Sequence, residues 1–303
     1  MKTAARFRVS SGMKYLLIAL PFMIFTFMFS YVPLFGWLIA FTDYTIGTRI
    51  TALQFTGFSA FTDILKQKNE VLRVTTNSLA MSGLGLLSSP LAALFAIMLN
   101  EIKSKKLRQF IQTATTFPNF ISWIVVYGFA FSIFSNNGLL NTLLGQLGLP
   151  QSSTGLLGDT RYVWVFQLFL QIWKGLGWGA IIYLAAIAGI DQELYEAAEI
   201  DGANKFARIR YITIPSLMPT YFVLLILAIT NILNNGFDQY FVFYNPMVAN
   251  KIEVLDYFIY KLAFIMNEMP MSIAVGMIKS FISIALIFLA NQASKKIRGT
   301  SIF

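Results

Sequence analysis

The chain has no cysteine and no histidine, and only 12% of its 303 residues are charged. Without cysteine there is no disulfide, no thiolate nucleophile and no cysteine-ligated metal. Without histidine, the commonest proton shuttle and metal ligand is missing. The shortage of charge excludes more. A soluble domain carries about 25% Asp, Glu, Lys and Arg, so this chain lacks the polar surface that water requires. Apolar side chains fill the gap: hydrophobic residues make up 56%, and the mean hydropathy is +0.65. They are bunched into runs long enough to cross hydrocarbon, which takes about 20 residues per helix. This is the composition of an integral membrane protein.

Six spans are predicted, near 15–41, 76–99, 110–134, 162–189, 212–234 and 271–292. The first follows Lys2, Arg6, Arg8 and Lys14 like a signal peptide, but its apolar run outlasts an h-region of 7–15 residues and no small-residue cleavage site closes it. It is expected to stay as a helix, bent at Pro21 or Pro33. The net charge of +9 does not form a nucleic-acid stripe, because the basic residues flank the apolar runs. One set of segments holds Lys2, Arg6, Arg8, Lys14, Lys103, Lys105, Lys106, Arg108, Lys205, Arg208, Arg210, Lys295, Lys296 and Arg298. The opposite set holds half as many: Arg49, Lys66, Lys68, Arg73, Arg161, Lys251 and Lys261. The richer set, with both termini, is expected to be cytoplasmic. Segments 42–75, 135–161 and 235–270 then face outward, none large enough to be a separate domain, and 1–303 reads as one transmembrane domain.

Between the fourth and fifth spans lies a charged segment, 191–215, with most of its acid before Gly202 and most of its base after it. Glu193, Glu196 and Glu199 recur on one side of a short helix beside Ala197 and Ala198. Gly202 suits a helix end that needs a left-handed residue. Phe206, Ile209, Ile212 and Ile214 supply apolar surface leading into the next span. A helix–turn–helix at the membrane surface is predicted, small enough to enter a groove in a soluble partner. On composition alone, an amphipathic linker resting on headgroups is the plainer alternative.

The order of residues goes further. Glu196-Ala197-Ala198, Gly202, Ile212 and Ile214-Pro215 resemble the EAA loop of binding-protein-dependent ABC permeases, with Ile214 where the pattern has leucine. Asp201-Gly202-Ala203 and Pro219 are similar to the sugar-importing branch, as are Trp173 through Gly177, Leu184-Ala185, Phe237-Asp238-Gln239, Asn245-Pro246-Met247-Val248 and Val254-Leu255-Asp256-Tyr257. The ending Asn291 to Ser301-Ile302-Phe303 is similar to the group handling complex oligo- and polysaccharides. The resemblance implies an all-α integral membrane fold, the six-transmembrane-helix type I ABC importer permease. It implies a heterodimer with a second permease subunit, two ATP-binding subunits, an extracellular solute-binding lipoprotein and an oligosaccharide substrate, in a bacterial plasma membrane. Glu196, Ala197, Ala198, Asp201, Gly202 and Pro215 would sit at the joint with the ATPase. No G-x-x-x-x-G-K-[ST] loop is present, so ATP and Mg are expected on the partner, with no cofactor, metal or catalysis in this chain.

For the sugar path, polar and aromatic residues within spans are the candidates, since they tend to face a cavity or another helix. Trp123 and Tyr127 share a face at i, i+4, and Gln167, Gln171 and Lys174 share another. Asn231 and Asn234 close the fifth span, with Asp238, Gln239 and Tyr240 beyond it. Interfacial anchoring and helix–helix bonding are the ordinary alternatives. Lys174 lies near the midplane, where snorkelling is hard and an internal partner or wet cavity is expected; Lys279 lies nearer an end and can snorkel. Gly175-x-Gly177-x-Gly179 reads as close helix packing in place of a phosphate loop. An ion-coupled secondary carrier would want acids within spans, and a glycan- or lipid-modifying membrane enzyme would want clustered acids or histidines. The sequence favours neither.

Overall fold

The computed structural model describes residues 11–298. The basic Lys2, Arg6 and Arg8 and the ending Ser301-Ile302-Phe303 lie outside the described residues. The described residues form fifteen α-helices joined by 3₁₀ and π segments, the longest a ten-residue 3₁₀ helix at Val32–Phe41, and contain no strand beyond an isolated antiparallel bridge between Thr42 and Phe55. In chain order the helices are α1 (Ser11–Thr26), α2 (Ser59–Lys66), α3 (Lys68–Ser88), α4 (Pro90–Asn100), α5 (Lys105–Thr116), α6 (Trp123–Phe134), α7 (Leu139–Gln146) and α8 (Val163–Ala188). They continue with α9 (Gln192–Ile200), α10 (Lys205–Arg208), α11 (Ile214–Thr230), α12 (Asp238–Phe243), α13 (Ala249–Ile252), α14 (Leu255–Tyr260) and α15 (Met269–Arg298). Six stretches among the described residues are long and apolar enough to cross a membrane: Gly12–Phe41, Lys68–Asn100, Trp123–Gln146, Val163–Ala188, Lys205–Thr230 and Met269–Gln292.

The number of spans agrees with the sequence, but three of the spans are bounded differently. The second begins at Lys68, because α3 carries its helix through Glu70 and Arg73 before the apolar run starts. The third is not one helix over 110–134. Pro118 has no N–H to give its turn, and α5 ends in a 3₁₀ turn at Phe117–Phe120 before α6 restarts at Trp123. The fifth starts at Lys205 and its helix closes at Thr230, leaving Asn231 and Asn234 beyond its end.

Two π turns have the same cause. Residues Phe27–Tyr31 and Ile209–Thr213 are each followed by one residue and then a proline, Pro33 or Pro215. A proline within a helix lacks an N–H and presses on the carbonyl four residues back. Widening the preceding turn relieves that pressure, and the N–H of Val32 reaches Phe27 while that of Ile214 reaches Ile209. Pro21, by contrast, sits inside α1 without ending it.

The described residues up to Lys66, with Ile259–Ile278, form one compact unit; Gln67–Phe258 with the described residues from Lys279 onward form a second. In the first, Phe41, Phe58 and Phe61 cluster with ring centroids 5.4–5.6 Å apart. The Asn267 side chain, on a residue with φ 58°, accepts the Ile46 N–H at 3.0 Å. None of the most apolar window of Gly12–Phe41 is buried by the chain itself.

In the second unit the core joins α4, α8 and α11 through Ala96, Ile97, Ala180, Tyr183, Ile187 and Leu217. Small residues set the distance, as they do where helices pack without a hydrophobic drive between them. A Cβ on Gly177 would collide with the backbone of Thr115 and Thr116, and one on Gly179 would meet the Ala92 Cβ at 3.3 Å. The packing reading of the glycine run therefore holds at these two positions. At Gly175 the space is open.

Polar bonds pin residues 235–256 to α3. Arg73 donates to the Glu253 carboxylate at 2.5 Å and to the Ala249 carbonyl at 3.1 Å, and the Asn77 amide donates to the carbonyls of Asn250 and Glu253, both at 3.0 Å. The Asp256 carboxylate accepts the N–H groups of Asn235 and Gly236 at 3.0 and 3.1 Å and pairs with Lys279. Lys279 therefore does not snorkel. It meets a carboxylate, the cheaper solution for a charge in a span.

Candidate coupling loop and polar cavity

The segment 191–215 folds as a helix, a reversal and a second helix. Asp191 caps α9 by accepting the Glu193 N–H at 3.0 Å. At the other end Gly202, with φ +78°, takes the left-handed conformation. The Ala203 N–H then reaches back to the Ala198 carbonyl at 2.8 Å and the Gly202 N–H to Glu199 at 3.1 Å. That pair of bonds is a Schellman ending. Asn204 caps α10 by accepting the Ala207 N–H at 2.9 Å. The helix end read at Gly202 is thus realised as a bonded reversal, and the structure adds Asp191 and Asn204 as caps.

The loop is tied down from behind. Tyr195 and the buried Thr213 share a hydroxyl hydrogen bond of 2.9 Å, Arg208 pairs with Glu199 at 3.0 Å, and Lys205 pairs with Glu101 at the end of α4 at 3.2 Å. The front of the loop is left bare. α9 has no buried residue, and Ile200 and Phe206 are 87% and 71% exposed. Glu196, Ala197, Asp201 and Gly202 are exposed, with Ala198 partly covered. α9 is thus a short, capped helix that presents acids and alanines, with the bare apolar Ile200 and Phe206 at its end and beyond.

Elsewhere in the same unit, a cavity of about 300 Å³ is lined by Asn119, Trp123, Gln171, Lys174, Gly175 and the run Asn235–Gln239. The break at Pro118 builds it. Carbonyls released there are taken up by Lys174, whose Nζ donates to Asn119 at 2.6 Å and to Pro118 at 3.3 Å. The same ammonium stands over the Trp123 ring, 5.5 Å from its centroid. Gln171 donates to the Tyr240 hydroxyl at 3.2 Å, and burial pushes the Tyr240 phenol well above its ordinary pKa.

Of the seven path residues expected from sequence, the structure brings Trp123, Gln171 and Lys174 together in this lining. Gln167 is buried, its side-chain and backbone oxygens accepting from Gln239 at 2.6 and 3.1 Å. Tyr127 packs edge-on against Phe243, with centroids 5.1 Å apart. Asn231 caps its own helix end by donating to the Leu227 carbonyl at 2.9 Å, and Asn234 donates to the Asn231 side chain at 3.2 Å. Sequence reasoning missed Asn235 and Gly236 as lining residues. Asn235 is fixed by donors to Ser78 and Ser82, while its buried Oδ1 has no partner among the described residues. A polar Asn-Asn-Gly run directly after an apolar span was the available signal.

The sequence pattern of one protein family, described as "Binding-protein-dependent transport system inner membrane component", matches residues 88–299. The chain belongs to that family. This permease is similar to Protein LplB of Bacillus subtilis (strain 168), with 35% identity over 289 residues covering 95% of this chain and 90% of that one. It is also similar to the polygalacturonan/rhamnogalacturonan transport system permease protein YteP of the same organism, with 33% identity over 295 residues, 96% of this chain and 90% of that one. Among solved structures it resembles a chain of a bacterial alginate ABC transporter in complex with an alginate pentasaccharide-bound periplasmic protein. There the TM-score is 0.85 and the identity 32%, over 96% of this chain and 98% of the other. The permease thus has the type I ABC importer fold that its EAA loop implied, and it is a multi-pass transport subunit.

Proposed function

We propose that this permease carries oligosaccharides, taking them from an extracellular solute-binding protein and drawing its energy from a separate ATPase gripped at 191–215. The observation that carries the reading is the bare, doubly capped helix α9, ending at the left-handed Gly202. Glu196, Ala197, Ala198, Asp201 and Gly202 form the docking face. Pro215, behind the π turn, fixes how that face leaves the fifth span. ATP and Mg bind the partner chains, and this subunit performs no chemistry of its own. The whole chain acts as one permease domain beside a sister subunit in the bacterial plasma membrane, with both termini and the 191–215 loop in the cytoplasm. Segments 42–75, 135–161 and 235–270 face outward toward the binding protein. The names of relatives support a sugar substrate: lactose, arabino-oligosaccharide, polygalacturonan/rhamnogalacturonan and alginate systems all appear among them.

Glu196→Lys tests the coupling. In membranes expressing the full transporter, this reversal is expected to cut both co-purification of the ATP-binding subunits and ATP-driven uptake at least tenfold, while the permease pair stays intact. Normal attachment and normal uptake would sink the reading. Uptake that persists without the ATPase would replace it with an ion-coupled carrier.

A further inference from the structure

Lys174 has a property that helix packing does not explain. Its ammonium sits in a membrane span, touching two neutral carbonyls and a Trp123 face, and among the described residues no carboxylate comes within the 4.0 Å of an ion pair. Lys279, in the last span, does have its acid in Asp256. A charge in a span ordinarily finds a counter-charge or water, and Lys174 instead keeps its charge facing a cavity. Two of its three donors are used, and the third is left for something else. Asp238 shares the lining but is exposed and stands outside pairing distance, so water screens it far more than it screens the partly buried ammonium.

The surroundings specify what would bind. Gln171 and Asn119 offer amides for hydroxyls, Trp123 offers an apolar face for a sugar ring, and Lys174 supplies one point charge. Resting on the reading of the chain as an oligosaccharide permease, we propose that Lys174 is a specificity-determining residue that favours sugars bearing a carboxylate, the hexuronic acids. A purely structural lysine would serve only to cap the carbonyls of Pro118 and Asn119, and an uncharged donor could replace it. Lys174→Gln keeps an N–H donor and loses the charge; Lys174→Arg keeps both.

The absence of cysteine makes the cavity's charge measurable. In the assembled transporter, Gln171→Cys places the only thiol of this subunit in the lining. Its modification rates by an anionic sulfonatoethyl and a cationic trimethylammonioethyl methanethiosulfonate report the local potential. Adding Lys174→Gln is expected to lower the anionic-to-cationic rate ratio about tenfold, as loss of one partly screened charge a few ångströms away would do, and adding Lys174→Arg is expected to preserve it. A trisaccharide of hexuronate units at millimolar concentration is expected to protect the thiol about tenfold better than its carboxyl-reduced neutral counterpart, a preference that Lys174→Gln removes. A ratio unmoved by Lys174→Gln, a thiol that neither reagent reaches, or protection that is equal or nil for the two sugars overturns the proposal. The broader reading fails differently: it falls if the intact transporter imports no oligosaccharide, acidic or neutral, on ATP.

Discussion

Gly202 offers the sharpest test of how the loop is built. Its φ of +78° lies where L-residues are disfavoured, yet a Cβ there would meet nothing within 4 Å of the chain. Substitution is therefore opposed by backbone conformation alone until a partner docks. An ordinary L-residue in the left-handed region costs about 1–2 kcal/mol. Asparagine costs less because it bonds locally, and a β-branched residue is a true outlier there. The predicted order of harm is Gly202→Asn, then Gly202→Ala, then Gly202→Val. For alanine, a loss of about 1–2 kcal/mol lowers the population of the closed helix end about 5- to 30-fold. The dissociation constant of the ATP-binding subunits from the solubilised permease pair should rise by the same factor, since α9 must be formed to dock. Should Gly202→Asn weaken attachment as much as Gly202→Val, side-chain volume against the partner decides and the backbone argument is wrong.

Two further outcomes are expected. Arg73→Leu removes the guanidinium from Glu253, a carboxylate only 1% exposed, and breaking such a pair costs about 3–5 kcal/mol. Thermal melting of the detergent-solubilised permease should drop sharply and recover in part in the Arg73→Leu/Glu253→Leu double variant. A single variant as stable as the parent would refute the role given to this pair. At Asp159, the Arg161 guanidinium holds the carboxyl down to about 2 by hydrogen bonds and charge. A lowered pKa means the ionised pair contributes above the ordinary carboxylate range and is lost only as pH falls toward 2. The melting difference between the parent and Asp159→Asn should accordingly be flat from pH 5 to 8. A step inside that window would contradict the assignment.

The parts legible in the sequence were those fixed by neighbours in the chain. The C-terminal end of α9 follows from Gly202, and its exposed face from Glu193, Glu196 and Glu199, all within one short stretch. The six spans follow from apolar runs, which need no partner to be recognised. What depended on a distant group was hidden. The run through 110–134 was read as one span although Pro118 lies within it, and the group that takes up the carbonyls at the break, Lys174, lies more than fifty residues on. Helical periodicity put Gln167, Gln171 and Lys174 on one face correctly, but not which of them Gln239 would cover. Asn231 and Asn234 were read as the end of a span when the helix had already closed at Thr230.

The π turn before Pro215 also sets an angle. Holding one more residue than an α-turn would, it offsets everything on its far side by a single step of the helical screw, about 100°. Were Pro215 an alanine, the turn would be free to tighten, and α9 would be turned about the axis of the fifth span against its ties to Thr213 and, through Lys205, to Glu101. On the coupling proposed above, proline there acts as the key that clocks a drive shaft: it decides the compass bearing from which a pull on α9 arrives at the membrane.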